Sequence, residues 1–298
     1  MTRTSENQTI RRASSTEAAG RGTVRGRMIP TIILILGSIY CLIPVAWVFV
    51  AASKSKNELF TTFTFAPGSG LLANLGDLFA YENGQFGLWA ANSVLYAGVG
   101  AVLSTLVSTM AGYALAKYEF RGRDVIFYTI FAGVLIPGIT LAIPQYLLMS
   151  KLGLAGNPLS VLLPCVISPF GIYLSRVYSS SAMPQDTLEA ARIDGASEWR
   201  IFRSIALPIL VPGMVTVFLL QFVAIWNNFL LPFVMLSDQS NYPLTVGLFT
   251  LLAKGSGTPA LYSLAITGAA VSIIPLVALV LFLQRFWKLD LISGGIKG

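Results

Sequence analysis

Charged residues are bunched along this 298-residue chain and leave uncharged runs at 28–53, 83–116, 125–150, 152–175, 204–237 and 255–284. Each run exceeds the ~20 residues that a helix needs to cross the hydrocarbon core of a bilayer. The pattern predicts an all-α integral membrane protein with six spanning helices, over about 29–52, 90–116, 125–149, 159–178, 205–235 and 261–284. Run 59–76 is also uncharged, but Pro67, Gly68, Ser69, Gly70 and Asn74 interrupt it, so a loop is expected there. Residues 1–27 are rich in Arg, Ser, Thr and Gly without apolar periodicity, which predicts a disordered tail ahead of a membrane domain over 28–298. The first span has the positive flank of a secretory signal. Its uncharged run is longer than the ~7–15 residues of a signal core, so it reads as retained.

One polar stretch stands out between the fourth and fifth apolar runs. Over 184–204 it reads as two short helices with a hinge. Asp186 is placed to cap the first, and Glu189 three residues on completes a capping-box pattern. Gly195 ends that helix, because glycine takes a left-handed backbone without steric penalty. Ser197 is placed to cap the second, which carries Trp199 and Phe202 three apart on one face while Glu198, Arg200 and Arg203 face water. Ala190 and Ala191 have almost no side chain, so another backbone has room to approach. Such a pair either packs on its own protein or fits a groove on a partner.

The basic residues orient the chain. With the N-terminus inside, six tail arginines, Lys117, Arg121, Arg123, Arg176, Arg192, Arg200, Arg203, Arg285, Lys288 and Lys297 lie on the cytoplasmic side. Lys54, Lys56, Lys151 and Lys254 lie outside, so the division is sixteen to four. That imbalance predicts cytoplasmic termini and a cytoplasmic 184–204 loop in a multi-pass cell-membrane protein. Composition agrees, with 55% hydrophobic and only 11% charged residues, against roughly a quarter charged in soluble domains. The net charge of +7 is spread over loops that flank the membrane, which argues against a nucleic-acid surface.

Inside the apolar runs, a few residues carry information. Gly98, Gly100, Ser104, Ser108 and Gly112 provide a small-residue stripe for close helix packing. Pro137, Pro144, Pro164 and Pro169 interrupt the third and fourth spans, and kinked helices of that kind either line a pathway or simply pack. Gln221, Trp226, Asn227 and Asn228 sit in the fifth, where amides should point into the bundle. They serve either interhelical hydrogen bonding or the polar lining of a path for a hydroxyl-rich solute, with Trp226 or Tyr242 stacking on a sugar face. Phe60, Phe63, Phe65 and Trp89 in or beside the long 54–88 connection read as interface anchors or as a docking surface for a soluble partner.

Several chemistries are excluded by what the sequence lacks. It has no histidine, and its two cysteines, Cys41 and Cys165, both fall in predicted spans. The usual metal clusters, catalytic His dyads and disulfides are therefore not expected. There is no Gly-rich phosphate loop of the Walker type. No charged residue lies deep in a span, whereas ion-coupled carriers keep such groups at the substrate site.

The array Glu189-Ala190-Ala191, Asp194-Gly195-Ala196, Phe202 and Ile205-Ala206-Leu207-Pro208 resembles the cytoplasmic coupling loop of ABC-importer permeases. Asn92-Ser93, Tyr113-Ala114-Leu115-Ala116, Phe120-Arg-Gly-Arg123, Ile136-Pro137, Leu152-Gly153-Leu154, Ser168-Pro169-Phe170-Gly171, Trp226-Asn227-x-Phe229 and Gln284-Arg285 extend the likeness over nearly the whole chain. They resemble the carbohydrate-uptake (maltose-type) branch, in particular the smaller six-helix permease of a pair. The extended Arg/Ser-rich tail departs from that pattern. The resemblance implies a type I importer fold, a second permease, two ATP-binding cassette ATPase subunits and an extracytoplasmic solute-binding protein. It implies that ATP and Mg are bound by the ATPase partners, with no cofactor or metal on this chain and no enzymatic chemistry. It implies docking through Glu189, Ala190, Ala191, Asp194, Gly195, Ala196, Trp199 and Phe202. A sugar or oligosaccharide is the expected solute. A polyol or glycerol phosphate, or secondary carriage, are the alternatives.

Overall fold

The computed structural model describes residues 24–255 and 258–294, with side chains over 29–255 and 258–286. The expected disordered tail lies outside the described residues, apart from the start of the first helix. Among the described residues all regular structure is helical, in the order α1 (Val24–Ala52), α2 (Glu58–Thr61), α3 (Leu71–Ala80), α4 (Gln85–Lys117), α5 (Arg123–Ala132), α6 (Gly138–Lys151), α7 (Leu159–Val166), α8 (Pro169–Ala182), α9 (Gln185–Ile193), α10 (Glu198–Ile201), α11 (Leu207–Trp226), α12 (Leu230–Met235), α13 (Leu244–Lys254) and α14 (Pro259–Gly294). Five helical stretches are long and apolar enough to cross a membrane, and a bent pair supplies a sixth segment.

The long helix α4 is the axis of the bundle, and its small residues explain why. Gly100, Ser104, Ser108 and Gly112 recur every four residues and lie on one face. Gly171, Ser175 and Ser179 do the same on α8. A methyl group on Gly112 would sit 2.6 Å from the backbone nitrogen of Arg176, and one on Gly171 would sit 2.6 Å from Ser108 Oγ. The two helices therefore touch almost backbone to backbone, which is how helices associate where lipid removes the hydrophobic drive. At its other end α4 is strapped to segment 239–244. Gln85 Nε2 and Trp89 Nε1 both donate to the Gln239 carbonyl, at 2.9 and 3.0 Å, and Tyr96 OH donates to that of Asn241 at 2.9 Å.

The helices break where the apolar runs did not. The third expected span is two helices, Arg123–Leu135 (with a 3₁₀ end) and Gly138–Lys151, bent by 106° at Ile136-Pro137. Proline pushes the residue before it out of the helical region, and Ile136 is extended, with φ −83° and ψ 118°. The fourth is divided at Ile167-Ser168, where Ser168 Oγ accepts the Gly171 amide at 3.0 Å and Pro169 opens α8. The fifth starts earlier and ends sooner than 205–235, stopping at Trp226 before α12.

The 54–88 connection is also more ordered than a loop. It holds α2 and α3, and Asn74 is a buried anchor inside α3 rather than a breaker. Its Nδ2 donates to the carbonyls of Ala52 and Lys54, at 2.9 and 2.7 Å. Trp89 is 1% exposed and so is no interface anchor, unlike the exposed Phe60, Phe63 and Phe65.

Candidate functional site

The polar stretch folds as the helix pair α9–α10, and its local chemistry differs from expectation at one end only. Pro184 precedes α9, no side chain caps it, and Asp186 lies within its first turn. The helix thus starts too early for the Asp186–Glu189 capping box, because proline's fixed φ and missing amide already suit a helix start. The other end follows the sequence. Gly195 has φ +77°, its amide bonds to the Arg192 carbonyl, and the Ala196 amide reaches back to Ala191, both at 3.0 Å. That is the Schellman arrangement. Ser197 caps α10 by accepting the Arg200 amide at 3.4 Å.

The underside of the pair is fastened to the bundle. Leu188 and Ile201 are fully buried, and Ala191, Phe202, Ala206, Leu210, Tyr113 and Met183 complete the cluster. Phe202 lies 5.2 Å from the ring of Tyr113. Lys117 Nζ donates to the Met183 carbonyl at 2.6 Å, holding the end of α4 to the start of the stretch. Between the helices, Arg192 Nε and Glu198 Oε1 pair at 2.7 Å and Tyr118 OH donates to Glu198 Oε2 at 2.9 Å. Burial, then the bond to Glu198, pushes the Tyr118 phenol up from its ordinary value. Glu198 is therefore committed to partners within the chain rather than simply facing water.

The outer face is different in kind. Glu189, Ala190, Asp194 and Gly195 are exposed, and with them Ile193 at 86% and Trp199 at 61%. Ile193 thus stands out from a well-anchored, otherwise polar platform, while Trp199 keeps one side against Phe202, ring centroids 5.7 Å apart, and presents the rest to solvent.

This platform is continuous with a membrane segment. From Glu198 to Trp226 the chain is one helix of 29 residues, about 43 Å long at 1.5 Å per residue. A π-helical turn at Phe202–Ala206 joins α10 to α11. Pro208, at the opening of α11, and Pro212 lie just beyond it and do not break the rod. Proline removes the donor for the carbonyl one turn earlier, and a wider turn is a known way for a helix to absorb such a mismatch.

The far end of the rod meets a cavity. Asn227 ends α11 by donating Nδ2 to the Val223 carbonyl at 2.8 Å, and Asn228 Oδ1 accepts the Leu231 amide at 3.3 Å as α12 begins. Asparagine competes with the helix ladder in this way at termini. The cavity, about 350 Å³ and open on one side, is lined by Gly138, Ala142 and Gln145 of α6, Pro164 and Cys165 of α7, Asn228 and the start of α12. Among the described residues no group of metal-ligating side chains is gathered here or elsewhere.

Residues 104–288 match the family model described as "Binding-protein-dependent transport system inner membrane component". The chain belongs to that family. As an inner membrane component it is 36% identical over 258 residues to the arabinooligosaccharides transport system permease protein AraQ of Halalkalibacterium halodurans, covering 86% of this chain and 91% of that one. It is 32% identical over 232 residues to the diacetylchitobiose uptake system permease protein NgcG of Streptomyces coelicolor, covering 78% of this chain and 76% of that one. Its fold matches a bacterial ABC transporter involved in import of the acidic polysaccharide alginate, with TM-score 0.75, 24% identity and coverage of 88% of this chain and 98% of the other. The type I permease fold follows from these likenesses.

The predicted residues of this inner membrane component separate into groups. Glu189, Ala190, Asp194, Gly195 and Trp199 share the outer surface of the pair, with Ala196 partly covered. Ala191 and Phe202 are 8% exposed and belong to the underside, so neither offers a contact face. Gln221 donates to Ser168 Oγ at 2.7 Å and pins the α7–α8 break to α11. Trp226 is 5% exposed with Phe222 stacked on it at 5.6 Å, so it is core and no platform for a sugar. Asn227 stays exposed at the helix end, and of the four only Asn228 edges the cavity. Sequence reasoning missed Ile193 and Gln145. Ile193 lies three and four residues from Ala190 and Glu189, so helical spacing alone placed it on their face. Gln145 carried no local signal beyond being polar in an apolar run.

Proposed function

We propose that this chain is one of two permease subunits of an ATP-driven, binding-protein-dependent importer for a sugar or oligosaccharide. The observation that carries the reading is the exposed face of α9–α10 built on the end of a single helix that runs to the cavity. Both termini and the pair face the cytoplasm, as the sixteen-to-four division of basic residues supports. ATP and Mg are held by two ATPase subunits, one of which seats the face formed by Glu189, Ala190, Ile193 and Trp199. A second permease completes the path, and an extracytoplasmic binding protein delivers solute. This chain itself performs no bond chemistry.

The geometry gives that role a mechanism. Apolar Ile193 and Trp199 supply burial at a docking surface, and each large side chain contributes roughly 1.5–3 kcal/mol when fully covered. Glu189 is free to orient the contact through an arginine of the partner. When the ATPase subunits close on ATP, the α9–α10 platform moves as a body because its underside is packed. The Glu198–Trp226 rod then carries that motion to Asn228, at the cavity wall. Solute access changes at one end because the other end is pushed.

The test is reconstitution with the cognate partners in liposomes. Uptake of a neutral oligosaccharide that the binding protein holds should require ATP, the binding protein and this chain together. Uptake that persists without ATP and follows an ion gradient would overturn the proposal in favour of secondary carriage.

A further inference from the structure

We propose that the cavity between α6, α7 and α12 is a subsite for a neutral, hydroxyl-rich solute and rejects anionic ones. The inference rests on the permease reading and adds which class of solute this subunit selects. Its walls are Ala142 and Gln145 from α6, Pro164 and Cys165 from α7, and Asn228 and Leu231 from the rod's far end and α12. A volume of about 350 Å³ is at the small end of the range of ~300–1,000 Å³ for ligand sites. It suits about one or two sugar units.

The polar inventory decides the class. The side-chain amide of Gln145 makes no hydrogen bond to another described residue. Asn228 uses Oδ1 for the Leu231 amide and has Nδ2 to spare. Each amide both donates and accepts, which suits hydroxyl groups that do the same. Apolar walls at Ala142 and Leu231 suit the C–H faces of a sugar ring. No Lys or Arg lines the cavity. An anion buried there would lack the charge-assisted donors that phosphate and carboxylate require, and its desolvation would go uncompensated.

The breaks in the helices serve the same cavity. The bend at Ile136-Pro137 turns α6 sharply away from the line of α5, and α7 ends at Val166. Together they leave room where straight helices would have filled it. Asn228 connects the subsite to the rod, so a displacement that starts at the docking face repositions a ligand contact.

Cys165 provides a reporter already in the wall. In the reconstituted importer carrying Cys41→Ser, labelling of Cys165 by N-ethylmaleimide is followed by mass spectrometry of this chain. A neutral oligosaccharide taken up by the importer should slow labelling severalfold, whereas sn-glycerol 3-phosphate and an alginate oligomer at equal concentration should not. Gln145→Ala should raise the uptake KM for the neutral sugar up to about tenfold, the loss of one good hydrogen bond. Equal protection by the anions would overturn the proposed selectivity. Uptake without any protection of Cys165, or an uptake KM left unchanged by Gln145→Ala, would overturn the subsite. Absence of ATP-dependent uptake for every carbohydrate held by the binding protein would instead sink the permease reading, and the two failures are told apart by the uptake assay alone.

Discussion

Two proline-bearing regions of the molecule behave in opposite ways. At Ile136-Pro137 the chain turns through 106°, while at Pro208 and Pro212 a helix of 29 residues runs on unbroken. The difference is in what surrounds each proline. Ile136 adopts an extended backbone with Gly133 and Gly138 on either side, and Leu135, Ile136 and Ile139 are exposed, so nothing holds that joint straight. Pro208 follows a π-turn whose residues Phe202 and Ala206 are buried against Tyr113 and Met183. Packing there fixes the axis, and the wider turn accommodates the missing amide. Proline removes one hydrogen bond in both places. The neighbours decide whether that makes a hinge or a lever.

The comparison is broken most severely by attacking the lever. Two glycines inserted between Ile205 and Ala206 would turn the docking face by about 200° relative to α11 and soften the joint. Uptake should fall to background while the ATPase still co-purifies. The same insertion after Ile136 should cost uptake only about threefold, since a joint that is already non-helical tolerates added length. If both insertions acted alike, the distinction between lever and hinge would be wrong.

Next in size is Ala190→Trp on the outer face. Bulk at a close contact costs about 1–3 kcal/mol, so solute-stimulated ATP hydrolysis should drop roughly tenfold to a hundredfold, with ATP binding by the ATPase unaffected. Normal hydrolysis would show that Ala190 is not at a contact. Gly195→Val follows. Its φ of +77° strains any β-branched residue, although a Cβ there meets nothing within 4 Å. The cost is therefore conformational, about 1–2 kcal/mol, and uptake should fall severalfold, with Gly195→Asn closer to normal because asparagine tolerates that backbone. Equal uptake in Gly195→Val would mean that the hinge angle does not matter. The smallest effect is expected for Glu189→Ala. Glu189 lies beyond the first turn of α9, so the change removes only an exposed charge contact with the partner, about 0.2–1 kcal/mol, and ATPase titration should show docking weakened about two- to fivefold.

What was legible in the sequence follows from which forces act locally. Apolar runs and clustered charges marked the crossing segments because hydrocarbon excludes charge over any stretch long enough to span it. Gly195 and Ser197 were legible because a positive φ and a cap are one-residue decisions. The fate of Phe202 was not, since helical spacing groups it with Trp199 but only the position of Tyr113 shows which of the two turns inward. That the rod runs unbroken past Pro208 was not legible for the same reason, as the packing around its π-turn comes from α4 and the residues before α9. Asn227 and Asn228 read as mid-span amides because the run continues to Ser237. Their own side chains end the helix there. The cavity was illegible as a whole, being the product of three breaks far apart in sequence.

The central claim is that Glu198–Trp226 moves as one piece between docking face and cavity. It is tested most directly by spin-label distances in the assembled importer, with pairs at Arg200 and Asn227 and at Arg200 and Ile139, measured without nucleotide and with ATP trapped. All three positions are exposed on the isolated chain. The account predicts that the Arg200–Asn227 distance stays narrow at about 40 Å in both states, while the Arg200–Ile139 distance shifts by several ångströms. A change of several ångströms within the Arg200–Asn227 pair would show that the helix yields at the π-turn and would contradict the lever.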